Sequence, residues 1–496
     1  MEKNYFLKKA LQVCVLFFVT ITSTVSAQIG IGTITPHASS ILDVSSKTQG
    51  MLTPRMTTLQ RMAIASPSDG LLVYDTDLKS FYHFAKGTNS WTVLNSDGNG
   101  RLKFKRIKST DILATVLAAE KIAGGDKYLL YADTYYEIDG KITLDFPIDL
   151  NNAYVSGQDA IEDKLVRTSG NLFDGATGGS IRNVSIQVTG GGKVFNLSGA
   201  GTQNLIIRDA IITGSSDVGS ITGFELVFVS AVQYFGNTTG IVYDSISKLL
   251  INNVAWFINN TGIYEKLRGT FDLVQKQGGF SEVFGTAIGF DVSSNPTIIE
   301  DAVLETVVFT GRVSTGKYVN GYSNGGYTGY NFDKNWNVNC AGIPVETDAT
   351  AVGEFSIDYP VGDGVATDFN TNNPSAITKV LGGSTSTNLF RFSTGSANNK
   401  LVYLGKKKRF FQVTGSISFQ ASNSGTYVIY IVKNDTIVSK YKIYGRSSVA
   451  NDIIVLPLNA LVELTTNDYV EVHAQRHTST MITDGIKTLN MTLILK

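Results

Sequence analysis

Three groups of carboxylates could do chemistry if the fold brings them together: Asp145 with Asp149, Glu162 with Asp163, and Glu300 with Asp301 and Glu305. Two carboxyl groups about 5 Å apart, or somewhat further, suffice to protonate a glycosidic oxygen and to attack the sugar or activate water. Neighbouring residues of a strand point to opposite faces, so only the wider spacings converge within one segment. The same acids also suit solvated turns. His473 and His477 can share a strand face, but a metal needs further ligands, and His37 and His83 are distant in sequence. The glycines at 190–192 and the run Gly199-Ala200-Gly201 fall between strand-like segments, not before a helix, so no phosphate loop is indicated. Neither cofactor nor metal is expected. Tyr318, Tyr322, Tyr327, Tyr330 and Trp336, spread through Gly and Asn, offer another chemistry. Exposed rings stack on sugar faces while amides bond the hydroxyls. The competing reading is a loop packed across the preceding strands as a cap.

The elements that must position these residues are mostly strands. Forty-nine Gly and nine Pro in 496 residues, with short runs of Val, Ile, Thr, Tyr and Phe divided by Gly, Asn, Ser and Asp, describe many short strands and turns. Helical patterning is confined to 57–65, where Thr57 can cap, and 109–123, where Asp111 can cap. The length suggests two to four domains. Lysine plus arginine and aspartate plus glutamate both number 42, and the one basic block, Lys406-Lys407-Lys408-Arg409, reads as a solvated turn, so a nucleic-acid partner is not indicated.

Residues 1–27 read as a secretory signal. Lys3, Lys8 and Lys9 supply the positive start, 11–19 the apolar stretch, and Val25-Ser26-Ala27 the small residues that place cleavage between Ala27 and Gln28. The apolar stretch is shorter than the roughly 20 residues that span a bilayer, and no later segment is long and apolar enough either. Cys14 lacks the preceding Gly or Ala of a lipoprotein signal; its removal leaves Cys340 alone, so no disulfide is expected within one mature chain.

Three modules follow. Residues 28–100 carry Ile29-Gly30-Ile31-Gly32-Thr33 with Pro36, Ile41-Leu42-Asp43-Val44, Pro54-Arg55-Met56-Thr57 and Gly70-Leu71-Leu72-Val73-Tyr74-Asp75. This segment resembles the N-terminal module of secreted surface and tail-fibre-like proteins of Bacteroidota. The resemblance implies a place rather than a reaction. Alone such a segment buries little, so it is expected to lean on copies of itself or on the next domain. Residues 101–350 show a loose repeat of about two dozen residues, within the range of solenoids. Its blocks include Ile181 to Ile186, Asn204 to Asp209, Phe228 to Val232, Leu249 to Val254, Phe271 to Val274 and Ile298 to Val303. Each supplies alternating apolar residues and then a turn, as the rungs of a right-handed parallel β-helix require. Asn183, Asn204 and Asn252 are expected to form a ladder of stacked amides, and the helix at 109–123 to cap the solenoid. The stretch from Tyr135 to Gly140 resembles the opening rungs of pectate-lyase-like and tailspike β-helices; the competing fold is a large β-sandwich.

Residues 351–496 change to longer alternating strands with one wet face, which suggests a jelly-roll β-sandwich. Lys433-Asn434, Leu461-Val462-Glu463-Leu464 and Asn467-Asp468-Tyr469-Val470 make this part similar to C1q/TNF-like domains, which implies a trimer. The expected whole is a secreted or cell-surface protein, alternatively a phage tail fibre, that binds a glycan or protein receptor as a homotrimer without catalysis. The alternative is a tailspike-like polysaccharide depolymerase.

Overall fold

The computed structural model describes residues 5–13, 28–94, 103–369, 376–395, 399–478 and 483–496. The chain divides into two compact units, Met1–Gly100 and Arg101–Lys496. The proposed cleavage site straddles the boundary of the described residues, since Ala27 lies outside them and Gln28 opens the next described stretch.

In the first unit, Ile29–Ile31 pairs in parallel with Leu42–Val44, and a four-stranded sheet runs in the order Arg55–Met56, Leu72–Asp75, Ser80–Ala85, Ser90–Val93. The helix Thr58–Met62 begins with a capping box: Thr57 accepts from the Gln60 amide and the Gln60 side chain accepts from the Thr57 amide, which supplies orphan donors of the first turn with partners. Arg61 bonds Asp75 at 2.9 Å and lies 4.0 Å over the Tyr82 ring. Among the described residues of this unit only Val73 and Phe84 are buried apolar side chains, whereas Ile29, Ile31, Ile34, Ile41, Leu42, Met51 and Leu52 are exposed.

The second unit begins as a parallel β-helix with three walls. One wall starts with Phe104–Lys108 and Tyr135–Asp139, the second with Lys141–Thr143 and Lys164–Arg167, the third with Tyr128–Leu129 and Ile148–Asp149, and the chain visits each wall once per turn. Later strands such as Thr270–Gly285 and Thr297–Val313 bend through both the first and second walls. Alternation puts one face of every strand inside. Val155, Ile181, Ile207, Val229 and Ile251 therefore lie on successive rungs in one inward row, all essentially buried. Each rung buries its row against the next, which is where the solenoid obtains its stability.

The corner between the first and second walls needs a left-handed residue on rung after rung. Asn183, Asp209, Ala231, Asn253, Gly278 and Thr306 occupy it with φ between 49° and 67°. This corrects the expected amide ladder: Asn183 sits at the corner, Asn252 one residue before it, and Asn204 opens a strand opposite Leu226. The ladder that forms is inside the solenoid. Ser215 N–H donates to Asn237 Oδ1, and Asn237 Nδ2 donates to Asn260 Oδ1 and to Ile212 O, at 2.9–3.0 Å. Two short helices, Leu113–Val116 and Ala118–Gly124, close the open end, with Leu117 buried in the core between them. Buried Glu120 accepts from Lys105 Nζ and from Tyr136 Oη. Asp111 does not cap this helix pair; its carboxylate accepts from the Lys108 amide instead.

Residues 353–496 form a jelly-roll sandwich of antiparallel sheets. Gly353–Asp358 and the last strand, Gly485–Leu495, lie side by side in one sheet with Arg409–Ala421 and Ile453–Leu464. Lys400–Tyr403, Tyr469–Thr478 and Gly425–Lys433 build the other. Phe355, Phe411, Ile417, Phe419, Val470 and Met491 fill the space between. Arg391, 1% exposed, links head to shaft: Nη1 donates to Asp348 Oδ1 at 2.5 Å and to Lys334 O, and Nη2 to the carbonyls of Trp336 and Glu346.

Candidate functional site

A polar cleft of about 350 Å³ lies near the first rungs of the shaft, lined by Arg106, Glu137, Asp139, Gln158, Asp159, Glu162 and Asp163. The first wall positions its centre. Arg106 and Glu137 are register partners on adjacent strands, one residue out of step with the inward Tyr136, so both side chains leave the core. Glu137 is nevertheless 3% exposed, because Arg106 Nη2 donates to Oε2 at 3.2 Å and Gln158 Nε2 to Oε1 at 2.5 Å. Asp163 serves the turn itself. Its carboxylate accepts from the amides of Gly140, Gln158 and Asp159 at 2.7–3.0 Å. Asp139, Asp159 and Glu162 remain at the exposed rim.

The other acid groups are also engaged. Asp145 accepts from Tyr128 Oη at 2.6 Å, and Asp149 from Thr177 Oγ1 at 3.0 Å with Lys127 at 3.5 Å. Asp301 pairs with Lys406 of the head, and Glu305 accepts from Gln277. Glu300 is exposed. Thus Glu162 and Asp163 share the cleft, while Asp145, Asp149 and the 300–305 group do not contribute to it. His473 bonds Glu471 at 3.1 Å, and His477 meets the edge of Tyr444. Burial pushes the Glu471 carboxyl up, but His473 and Lys379 outweigh it and hold it below the usual carboxylate range. Among the described residues no group of three His, Cys, Asp or Glu is placed to hold a metal.

The aromatic segment closes the far end of the solenoid. Trp336 is fully buried and donates from Nε1 to Tyr322 Oη at 3.0 Å; Tyr322 in turn donates to Pro296 O. Tyr318 donates to Gly311 O at 2.9 Å. Tyr330 stacks on Phe390 of the head at 4.1 Å, and Tyr327 meets the same ring edge-on at 5.1 Å. Burial pushes the Tyr327 hydroxyl up to about 12 and raises Tyr322 further. Glu346, fully buried, pins the loop by accepting from the amides of Asn331 and Phe332, and its carboxyl is raised by that burial. A buried indole offers no face to a sugar, so Trp336 and Tyr322 act in this loop as packing groups. Tyr318, Tyr327 and Tyr330 are half-buried, each with a partner inside the protein or a ring against it.

Sequence reasoning missed Arg106, Glu137 and Gln158, because their convergence depends on register between strands far apart in sequence. Alternation in the run from Tyr135 to Asp139 was the available signal, since it sets Glu137 on the face opposite Tyr136.

Cleft, cap and walls together define a parallel β-helix shaft carrying a jelly-roll head. Residues 30–110 match the family described as a phage tail like trimerisation region. Among solved structures, the chain is similar to the enzymatically active domain of tailspike protein 4 of bacteriophage CBA120, with 11% identity over 89% of this chain and 77% of that one and a TM-score of 0.23. At that score neither a site nor an activity carries across. No curated protein matches the chain.

Proposed function

We propose that the protein is a noncatalytic, homotrimeric surface or tail-fibre-like protein that holds a binding head away from its base on a β-helical shaft. The carrying observation is the first unit, whose described residues bury two apolar side chains and expose Ile31, Ile34, Ile41, Leu42, Met51 and Leu52, all six inside the segment that matches a trimerisation region. Apolar area of that extent on so small a module is stabilised by covering it with copies. On this reading residues 1–27 are a secretion signal removed between Ala27 and Gln28, 28–100 the trimerising base, 101–350 the shaft and 351–496 a head similar to C1q/TNF-like domains. A glycan or protein receptor is its partner. Noncatalysis is supported by the carboxylates, since Glu137, Asp145, Asp149 and Asp163 each spend their oxygens on neighbouring protein groups.

The second reading, a polysaccharide depolymerase, draws on the cleft, where Asp139, Asp159 and Glu162 rim Arg106. Incubating the purified protein with surface polysaccharides and measuring polymer length separates the two. Retention on the polymer at unchanged length is expected; shortening that is lost in Glu162→Gln would establish the enzyme instead.

A further inference from the structure

The second and third walls of the shaft differ in what they show to water. On the third wall one outward row reads Asp174, Asn196, Ser220, Val242, Lys266 across adjacent strands, and the next reads Ser198, Thr222, Asp244, Arg268. These side chains bond one another, as Asn196 does Asp174 and Arg268 does Asp244, and they suit a solvated surface.

The upper second wall is built otherwise. Phe235, 50% exposed, meets Phe257 edge-on at 5.7 Å, and Phe257 meets Phe280 at 5.2 Å, so three successive rungs carry a ladder of rings on the outside. Val308 continues it as the register partner of Phe280 on the next rung. Ile258 and Phe284, at the end of the same wall, are 49% and 54% exposed. None of these side chains belongs to the interior row; Tyr234, Trp256 and Phe309 fill that role from the alternate positions. The solenoid therefore closes without the ladder. Contiguous apolar surface of this kind marks a contact with another molecule.

We infer that this ladder packs against the shaft of another copy of the same chain, forming a second trimer contact beyond the base. This rests on the trimer reading above and adds a surface to it. A second copy is favoured because the match to a trimerisation region runs to residue 110 and thus includes Phe104–Lys108, the first strand of the shaft. Chains joined there hold their shafts at high effective concentration, so even a modest apolar strip is enough to zip them together. In a threefold assembly the ladder of each copy meets a different strip of its neighbour, because cyclic trimer contacts are heterologous.

The test uses the full chain in a background where Cys14 and Cys340 are replaced by serine, with single cysteines introduced as Phe235→Cys, Phe284→Cys and, on the polar third wall, Ser198→Cys. Light scattering reports the assembly state of each variant, and maleimide labelling reports exposure. The expected result is a trimer in which positions 235 and 284 label about tenfold more slowly than 198 or slower still, a factor that ~1.4 kcal/mol of contact already gives. A trimer in which all three positions label at the same rate overturns the shaft contact while leaving the trimeric base intact. A monomer labelling rapidly at all three overturns both.

Discussion

In the shaft, Ile181 rests on Ile207, Ile207 on Val229 and Val229 on Ile251, each supplied by the next turn of the chain. In the head, Gly353 pairs with Leu495, so the first strand of the sandwich waits for the last. Layers that touch only their neighbours can differ from one another; a sandwich core is shared by every strand. The shaft uses that freedom. Lys276 takes the inward position that Ile251 and Leu304 hold on the adjacent rungs, and Glu265 of the third wall meets it at 2.8 Å, both 2% exposed. Tyr234, Trp256 and Tyr264 stack at 3.9 and 5.0 Å, the buried hydroxyls of Tyr234 and Tyr243 interact with one another, and the Trp256 indole N–H has no hydrogen-bond partner among the described residues. The head packs its aromatic and aliphatic side chains between two sheets, and its buried polar groups include Thr488, Asp484, Glu471 and Arg476.

Arg391 is the sharpest place to break this contrast, because there the independent layers and the shared core become one body. Arg391→Ala removes the charged partner of Asp348, 5% exposed, leaving its carboxylate the Lys407 amide, and should cost about 3 kcal/mol, the lower end for removing one partner of a buried pair. Chemical denaturation should show the shaft's last rungs and the head weakened together; loss confined to the head would show that they unfold separately. Lys276→Met should cost a similar ~3–5 kcal/mol by leaving Glu265 alone, whereas the double change Lys276→Met with Glu265→Met should be neutral or stabilising by up to about 4 kcal/mol. If the double variant is as unstable as the single one, the ion pair is needed for the layers to close. Hydrogen exchange should confine the damage of the single variant to the neighbouring rungs.

A smaller effect is expected at Asn237. Replacement by Ala deprives the Ser215 amide and the Ile212 carbonyl of their partner, at about 1–3 kcal/mol, visible as lost amide protection around 212–215. The smallest concerns pH in the head. Burial pushes the Asp468 carboxyl up, but donors from Thr465, Asn434 and Lys433 outweigh it and hold it at about 2, below its ordinary 3.8. A lowered folded value contributes stability that is complete above the unfolded one and disappears as pH falls from about 4 toward 2. The loss should be ~1–2 kcal/mol, and Asp468→Asn should flatten that slope in acid titrations of stability.

The parts of this fold that were legible in the sequence are those set by local alternation. Leu205 and Ile207, Val227 and Val229, and Leu249 and Ile251 announced rungs because apolar residues recur at every second position, and the jelly-roll strands showed the same rhythm over longer runs. Thr57 was legible as a helix cap because capping also depends on residue type over a few adjacent positions; the reciprocal bond with Gln60 came with the structure. What depends on register was not. Asn252 and Asn253 are neighbours in sequence, yet only Asn253 takes the left-handed corner, and Ala231 and Thr306 hold the same corner with side chains that ordinarily avoid it. Lys276 resembles any solvated lysine until its rung is known. The cleft combines residues from two strands and the loop at 157–163, and Arg391 reaches carbonyls more than forty positions away, so neither leaves a local trace.

Light scattering on the full chain at micromolar concentration tests the assembly on which the proposed function depends. Three chains per particle are expected, held first by the bare apolar face between Ile29 and Leu52. A single chain per particle, with that face still open to solvent, would contradict it.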